Sequence, residues 1–143
     1  MAEARGWTAI GNLDASAVTT VSPRGLVTPR PGGWSLDWWI GADDGWRVPS
    51  REAHVAQRLL DGAPVVETSV RVPGGHAVQR AWGVRFGTVE LIVVEIENDS
   101  RLPFAVAVAV RPENVDGPAD VGRIALVGDA VHAPSNSSGQ GAS

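Results

Sequence analysis

Val65-Val66-Glu67-Thr68-Ser69-Val70-Arg71-Val72, closed by Pro73-Gly74-Gly75, decides the fold. Val66, Thr68, Val70 and Val72 alternate with Glu67, Ser69 and Arg71, the period-two signature of a strand with one wet face. Pro-Gly-Gly then permits a tight reversal. The return strand is expected at about 77–86, with Val78, Trp82, Val84 and Phe86 on one face, Gln79 and Arg85 on the other, and Arg80 as the exception. The pair reads as a β-hairpin. Downstream, Val89 to Glu97 is apolar on both faces at first, and Phe104, Val106, Val108 and Val110 alternate with Ala105, Ala107 and Ala109. Such strands are expected to be covered on both sides. With Asn98 to Pro103 as a turn and Arg123 to Val127 as a further short strand, the chain predicts a sequential antiparallel meander.

Upstream, Ser50 to Leu60 carries two readings. Ser50 as an N-cap with Ala53, Ala56, Leu59 and Leu60 has helical spacing. Asp61-Gly62-Ala63-Pro64 before a clear strand is a hairpin turn, and it favours a strand at about 53–60 paired with 65–72. Valine occurs 21 times against 8 leucines, and β-branched side chains suit a pleated surface better than a helix. The fold class expected is all-β, an antiparallel two-sheet sandwich with little helix, spanning 1–134, with 135–143 as a flexible Ser- and Gly-rich tail. Its inter-sheet core is expected to contain Val78, Trp82, Val84, Ile92, Val94, Phe104, Val106 and Val108.

Composition narrows function. The chain has 143 residues, 43% hydrophobic and 20% charged, which suits one globular domain. It lacks any apolar run near the ~20 residues of a bilayer span. A basic n-region followed by an apolar stretch is not seen at the start, so no signal peptide and a cytoplasmic location are expected. There is no cysteine, which removes disulfides and thiolate chemistry, and all twelve bases are Arg, so Schiff-base lysines and P-loops are excluded. A net charge of −4 argues against a nucleic-acid partner. No cofactor and no metal are expected, because His54, His76 and His132 have no ligand-type spacing. No Ser lies in a Gly-x-Ser-x-Gly elbow.

Chemistry concentrates in Trp34-Ser35-Leu36-Asp37-Trp38-Trp39-Ile40-Gly41-Ala42-Asp43-Asp44-Gly45-Trp46-Arg47, which holds four of six tryptophans. Indole faces cover the C–H face of a pyranose, while Asp and Arg meet its hydroxyls. Asp37, Trp39, Asp43, Asp44, Trp46 and Arg47 are therefore the candidate carbohydrate-binding residues. The alternation of Leu36, Trp38 and Ile40 with Asp37 and Trp39 equally describes a buried strand, with Asp43 and Asp44 capping a turn. A small hydrolase built on Asp37, Asp43 or Asp44 would need neighbours that drive two carboxyl pKa values apart.

Arg24-Gly25-Leu26-Val27, the segment from Pro31 to Trp46, Asp61-Gly62-Ala63-Pro64-Val65-Val66-Glu67-Thr68 and Val72-Pro73-Gly74-Gly75 resemble the N-terminal β-sandwich region of glucoamylase- and glycogen-debranching-like glycoside hydrolase proteins. The likeness spans about residues 5–130. It implies a supersandwich that precedes an (α/α)6 toroid carrying the catalytic carboxylates. That toroid is outside this sequence, so no catalytic residue is assigned. The resemblance implies a non-catalytic module that shapes or contacts an oligosaccharide site, with the missing helical domain or further copies of the chain as partners. The alternative is a structural, self-associating domain without sugar affinity.

Overall fold

The computed structural model describes residues 6–11 and 18–122. The strands are β1 (Thr8–Ile10), β2 (Thr19–Val21), β3 (Val27–Thr28), β4 (Ser35–Ala42), β5 (Gly45–Arg47), β6 (Val55–Leu59), β7 (Val66–Val72), β8 (Gly75–Phe86), β9 (Val89–Ser100), β10 (Ala105–Arg111), β11 (Glu113–Asn114) and β12 (Gly117–Pro118). A 3-10 turn at Pro49–Arg51 is the helical element among the described residues. All pairings are antiparallel. The fold is all-β, as the alternation of residues 65–72 requires. No helix among the described residues is long and apolar enough to cross a membrane. The expected strand at Arg123–Val127 and the tail at 135–143 lie outside the described residues.

Two sheets form the body. The first has the order β1-β2-β3-β4-β10, with β5 paired to β4; the second has the order β6-β7-β8-β9. Residues 55–59 form a strand, with Val55 opposite Val70 and Leu59 opposite Val66. The Asp61-Gly62 turn therefore outweighs the helical spacing of Ala53, Ala56, Leu59 and Leu60. Ser50 lies in the 3-10 turn rather than capping a helix.

Two clusters fill the space between the sheets. Ile10, Val21, Val27, Val66 and Ala81 form one, with Leu36, Ile92 and Val94 packed against it. Trp38, Ile40, Val70, Val72 and Ala77 form the other, flanked by Val55, Ile96 and Phe104. The even positions of β7 face inward as their alternation predicts: Val66, Thr68, Val70 and Val72 are all buried.

In β8 the inward face is the opposite of the expected one. Ala77, Gln79 and Ala81 sit directly across from Val70, Thr68 and Val66, so they share the inner face. Val78, Trp82 and Val84 alternate with them onto the other face, where Val78 is still only 7% exposed while Phe86 is 72% exposed. Size explains the reversal. The facing sheet brings the whole indole of Trp38 into the core, and the small side chain of Ala77 in β8 leaves it room. The bulky residues of β8 instead share the outer face with a charged ladder. Arg58, Glu67, Arg80 and Glu95 are successive cross-strand partners over four strands. Arg58 Nε and Arg80 Nε donate to the two oxygens of Glu67 at 2.8 and 2.9 Å, and Arg80 Nη1 reaches Glu95 at 3.0 Å and Glu97 at 2.6 Å. Arg58 first, then Arg80, holds the Glu67 carboxyl below its ordinary pKa. Arg80 is thus no exception, since its whole face looks outward.

The meander also breaks at its end. β6 to β9 are sequential neighbours, but β10 crosses to the first sheet and pairs with β4 over seven residues, from Ala105 opposite Gly41 to Arg111 opposite Ser35. It forms the edge of that sheet. Val106 and Val108 lie on the side that carries Ile40 and Trp38, yet are 45% and 59% exposed, because the second sheet does not extend over them. Of the expected core set, Val78 is buried at 7% exposure, and Ile92, Val94 and Phe104 pack against the two clusters.

Candidate functional site

Asp43 and Asp44 form the turn between β4 and β5 that the Gly41-to-Gly45 segment predicts. Trp46 pairs with Gly41. A Cβ on Gly41 would lie 3.0 to 3.1 Å from Cη2, Cζ2 and Cζ3 of Trp46, so the six-membered ring rests over a strand position that only glycine leaves open. Its other side meets solvent, and the residue is 61% exposed. Trp39 projects from β4 on the same outer face, because it lies two residues from Gly41. Ala105, Ala107 and Ala109 of β10 stand opposite Gly41, Trp39 and Asp37 on that face, and leave it shallow beside the indoles.

The polar candidates are less free than their sequence positions suggest. Arg47 clamps Asp44 with two parallel bonds, Nη1 to Oδ1 at 2.6 Å and Nη2 to Oδ2 at 2.8 Å. This bidentate bond holds the Asp44 carboxyl below its ordinary pKa and raises that of Arg47. Asp43 is exposed at the tip of the turn. Asp37 is 1% exposed and enclosed by donors. Its Oδ1 accepts the backbone N–H of Trp38 at 2.9 Å; its Oδ2 accepts Trp39 Nε1 at 3.2 Å and Ser50 Oγ at 2.9 Å. Arg111 Nη1 stands 3.6 Å from the same oxygen. Asp37 therefore orients Trp39 and Arg111 and does not face solvent. Trp38, the alternation's core candidate, is 1% exposed and belongs to the core alone.

One cavity adjoins these elements and another lies on the second sheet, and neither was legible in the sequence. The first, about 290 Å³, lies where the 3-10 turn crosses the outer face, and its walls include Trp7, Arg24, Ser50, Arg51, Arg111 and Glu113. These residues are as much as 106 positions apart and share no motif. The second, about 400 Å³, brings His54 and His76 together with Ser69 and Arg71 on the second sheet. Two imidazoles beside a guanidinium make a poor cation site, because the Arg charge opposes a metal. Among the described residues no group of three His, Cys, Asp or Glu is placed to hold a metal ion.

No protein-family model matches the chain, and no curated protein or solved structure matches it significantly.

Proposed function

We propose that this chain is a non-catalytic β-sandwich module of a glycoside-hydrolase-like protein, whose first sheet contacts an oligosaccharide through its outer face. The observation that carries this reading is Trp46, an indole seated on Gly41 with its other side in solvent and Trp39 beside it on the same face. A preset, exposed indole suits the apolar face of a pyranose at little entropic cost. The acid chemistry points away from catalysis. A carboxyl held ionised by Arg47 is a poor proton donor, and Asp37 is shielded behind Ser50. Titration with maltotriose, followed by tryptophan fluorescence and amide shifts, is expected to show millimolar affinity, because one wall of a site binds weakly. The response disappears in Trp46→Ala with the fold intact by circular dichroism. Silence at ~50 mM sugar, far above a millimolar Kd, rejects the reading.

The exposed Val106 and Val108 favour a second reading, in which the edge of the first sheet is an association surface for another domain or another copy. On that reading, light scattering shows mass rising with concentration, and Val108→Glu abolishes the rise. A concentration-independent monomer rejects self-association.

A further inference from the structure

Within a chain of net charge −4, three guanidinium groups gather on one small concavity. Arg24 and Arg51 are exposed at its rim, from the β2–β3 loop and the 3-10 turn. Arg111 enters from the end of β10 and is held from behind, its Nη2 donating to Glu113 Oε1 at 2.9 Å and its Nη1 facing Asp37 at 3.6 Å. That anchoring fixes the plane of one guanidinium before any ligand arrives, which lowers the entropy lost on binding. Three cations against the carboxylates of Glu113 and Asp37 leave one positive charge in excess. A single excess charge fits a monoanion better than a doubly charged phosphate. Planar guanidinium forks match the two oxygens of a carboxylate. The volume, about 290 Å³, is at the small end for ligand pockets and suits one sugar ring, and Trp7 supplies an indole wall. Ser50 lines this cavity and also donates to Asp37, the acceptor of the Trp39 N–H, so the concavity continues the outer face that carries Trp39 and Trp46.

From this arrangement we infer that the cavity formed by Trp7, Arg24, Ser50, Arg51 and Arg111 is a subsite for a carboxylate-bearing sugar residue, so that the oligosaccharide recognised by the outer face is acidic. The inference rests on the oligosaccharide reading above and specifies its substrate class.

The test titrates the full chain with trigalacturonate, maltotriose and acetate at fixed ionic strength. Tryptophan fluorescence and Arg side-chain resonances are followed in the native protein and in Arg51→Ala, Arg24→Ala and Trp46→Ala. Both arginines are exposed, so their variants are expected to fold, with circular dichroism as the check. Trigalacturonate is expected to bind at least about tenfold more tightly than maltotriose, the equivalent of one charge-assisted hydrogen bond. Arg51→Ala and Arg24→Ala each remove about that factor for trigalacturonate and leave maltotriose unchanged, and added salt weakens only the acidic sugar. Equal affinity for both trisaccharides, insensitive to Arg51→Ala, overturns the acidic subsite and leaves the neutral-sugar reading standing. Acetate binding as tightly as trigalacturonate, with no response to maltotriose, overturns sugar recognition in the cavity and on the indole face together. Silence with all three ligands overturns both as well.

Discussion

Trp38→Ala is expected to destabilise the protein by about 3–5 kcal/mol, the range for removing a buried aromatic side chain. The residue is 1% exposed and packs with Ile40, Val70, Val72 and Ala77, so the indole joins the two sheets. The walls have little freedom to collapse onto the void, because Ala77 already presents the smallest chiral side chain and the β7–β8 ladder fixes its backbone. A polar loss adds to the apolar one. Trp38 Nε1 donates to the Arg24 carbonyl at 3.2 Å, and a Cβ on Gly25, whose φ is +84°, would lie 2.6 Å from that nitrogen. The β2–β3 loop is therefore shaped around the indole, and it carries Arg24 to the cavity. Trp38→Phe retains much of the apolar contact and loses the N–H, so it is expected to be clearly milder than Ala. Urea unfolding of both variants with an unchanged m-value is the measurement. A loss below ~1 kcal/mol for Trp38→Ala would place the indole outside the core.

The same packing shows where the sequence was transparent and where it was not. In β7 hydrophobicity and burial coincide, so Val66 to Val72 could be assigned to a face from alternation alone. In β8 they separate in part: Trp82, Val84 and the exposed Phe86 share a face with the Arg58–Glu67–Arg80 ladder, and of that face Val78 alone is buried, while Ala77, Gln79 and Ala81 turn inward, Ala77 beside Trp38. Alternation reports which residues share a face, and only the opposing sheet decides which face is inside. β10 differs from its expected place for a related reason. Its Val-Ala alternation identifies a strand, but nothing local reveals that its partner is β4 or that Val106 and Val108 overhang the second sheet. In the candidate site, Trp46, Asp44 and Arg47 were legible because they lie within one hairpin. Asp37 was legible as a carboxylate but not as an enclosed one, since Ser50 and Arg111 reach it from 13 and 74 residues away in the chain.

Asp37 carries the second large effect. All the groups around its carboxylate are donors: the Trp38 N–H, the Trp39 indole N–H, the Ser50 hydroxyl and the Arg111 guanidinium. Asp37→Ala strands them together in a site that is 1% exposed, with the Arg111 charge only partly balanced by Glu113. The expected loss is about 3–5 kcal/mol, as for removing one partner of a buried ion pair. Asp37→Asn separates shape from hydrogen-bond polarity. The amide fits the space, but its NH2 group must face a donor whichever way it turns, either the Trp38 N–H or the cluster around Oδ2. A loss of about 1–3 kcal/mol is therefore expected even from this isosteric change. Ser50→Ala removes one donor, leaves the others satisfied, and is expected to lose only about 0.5–1.5 kcal/mol. Denaturant unfolding of the three variants ranks them, Ala above Asn above Ser50→Ala. An Asp37→Asn protein as stable as the native one would show that the carboxylate is not the acceptor on which these donors converge. The consequence extends to the outer face, because the oxygen that holds Ser50 also orients Trp39 and Arg111. Loosening it should broaden the Trp39 indole N–H resonance while Trp46, anchored on Gly41, keeps its own.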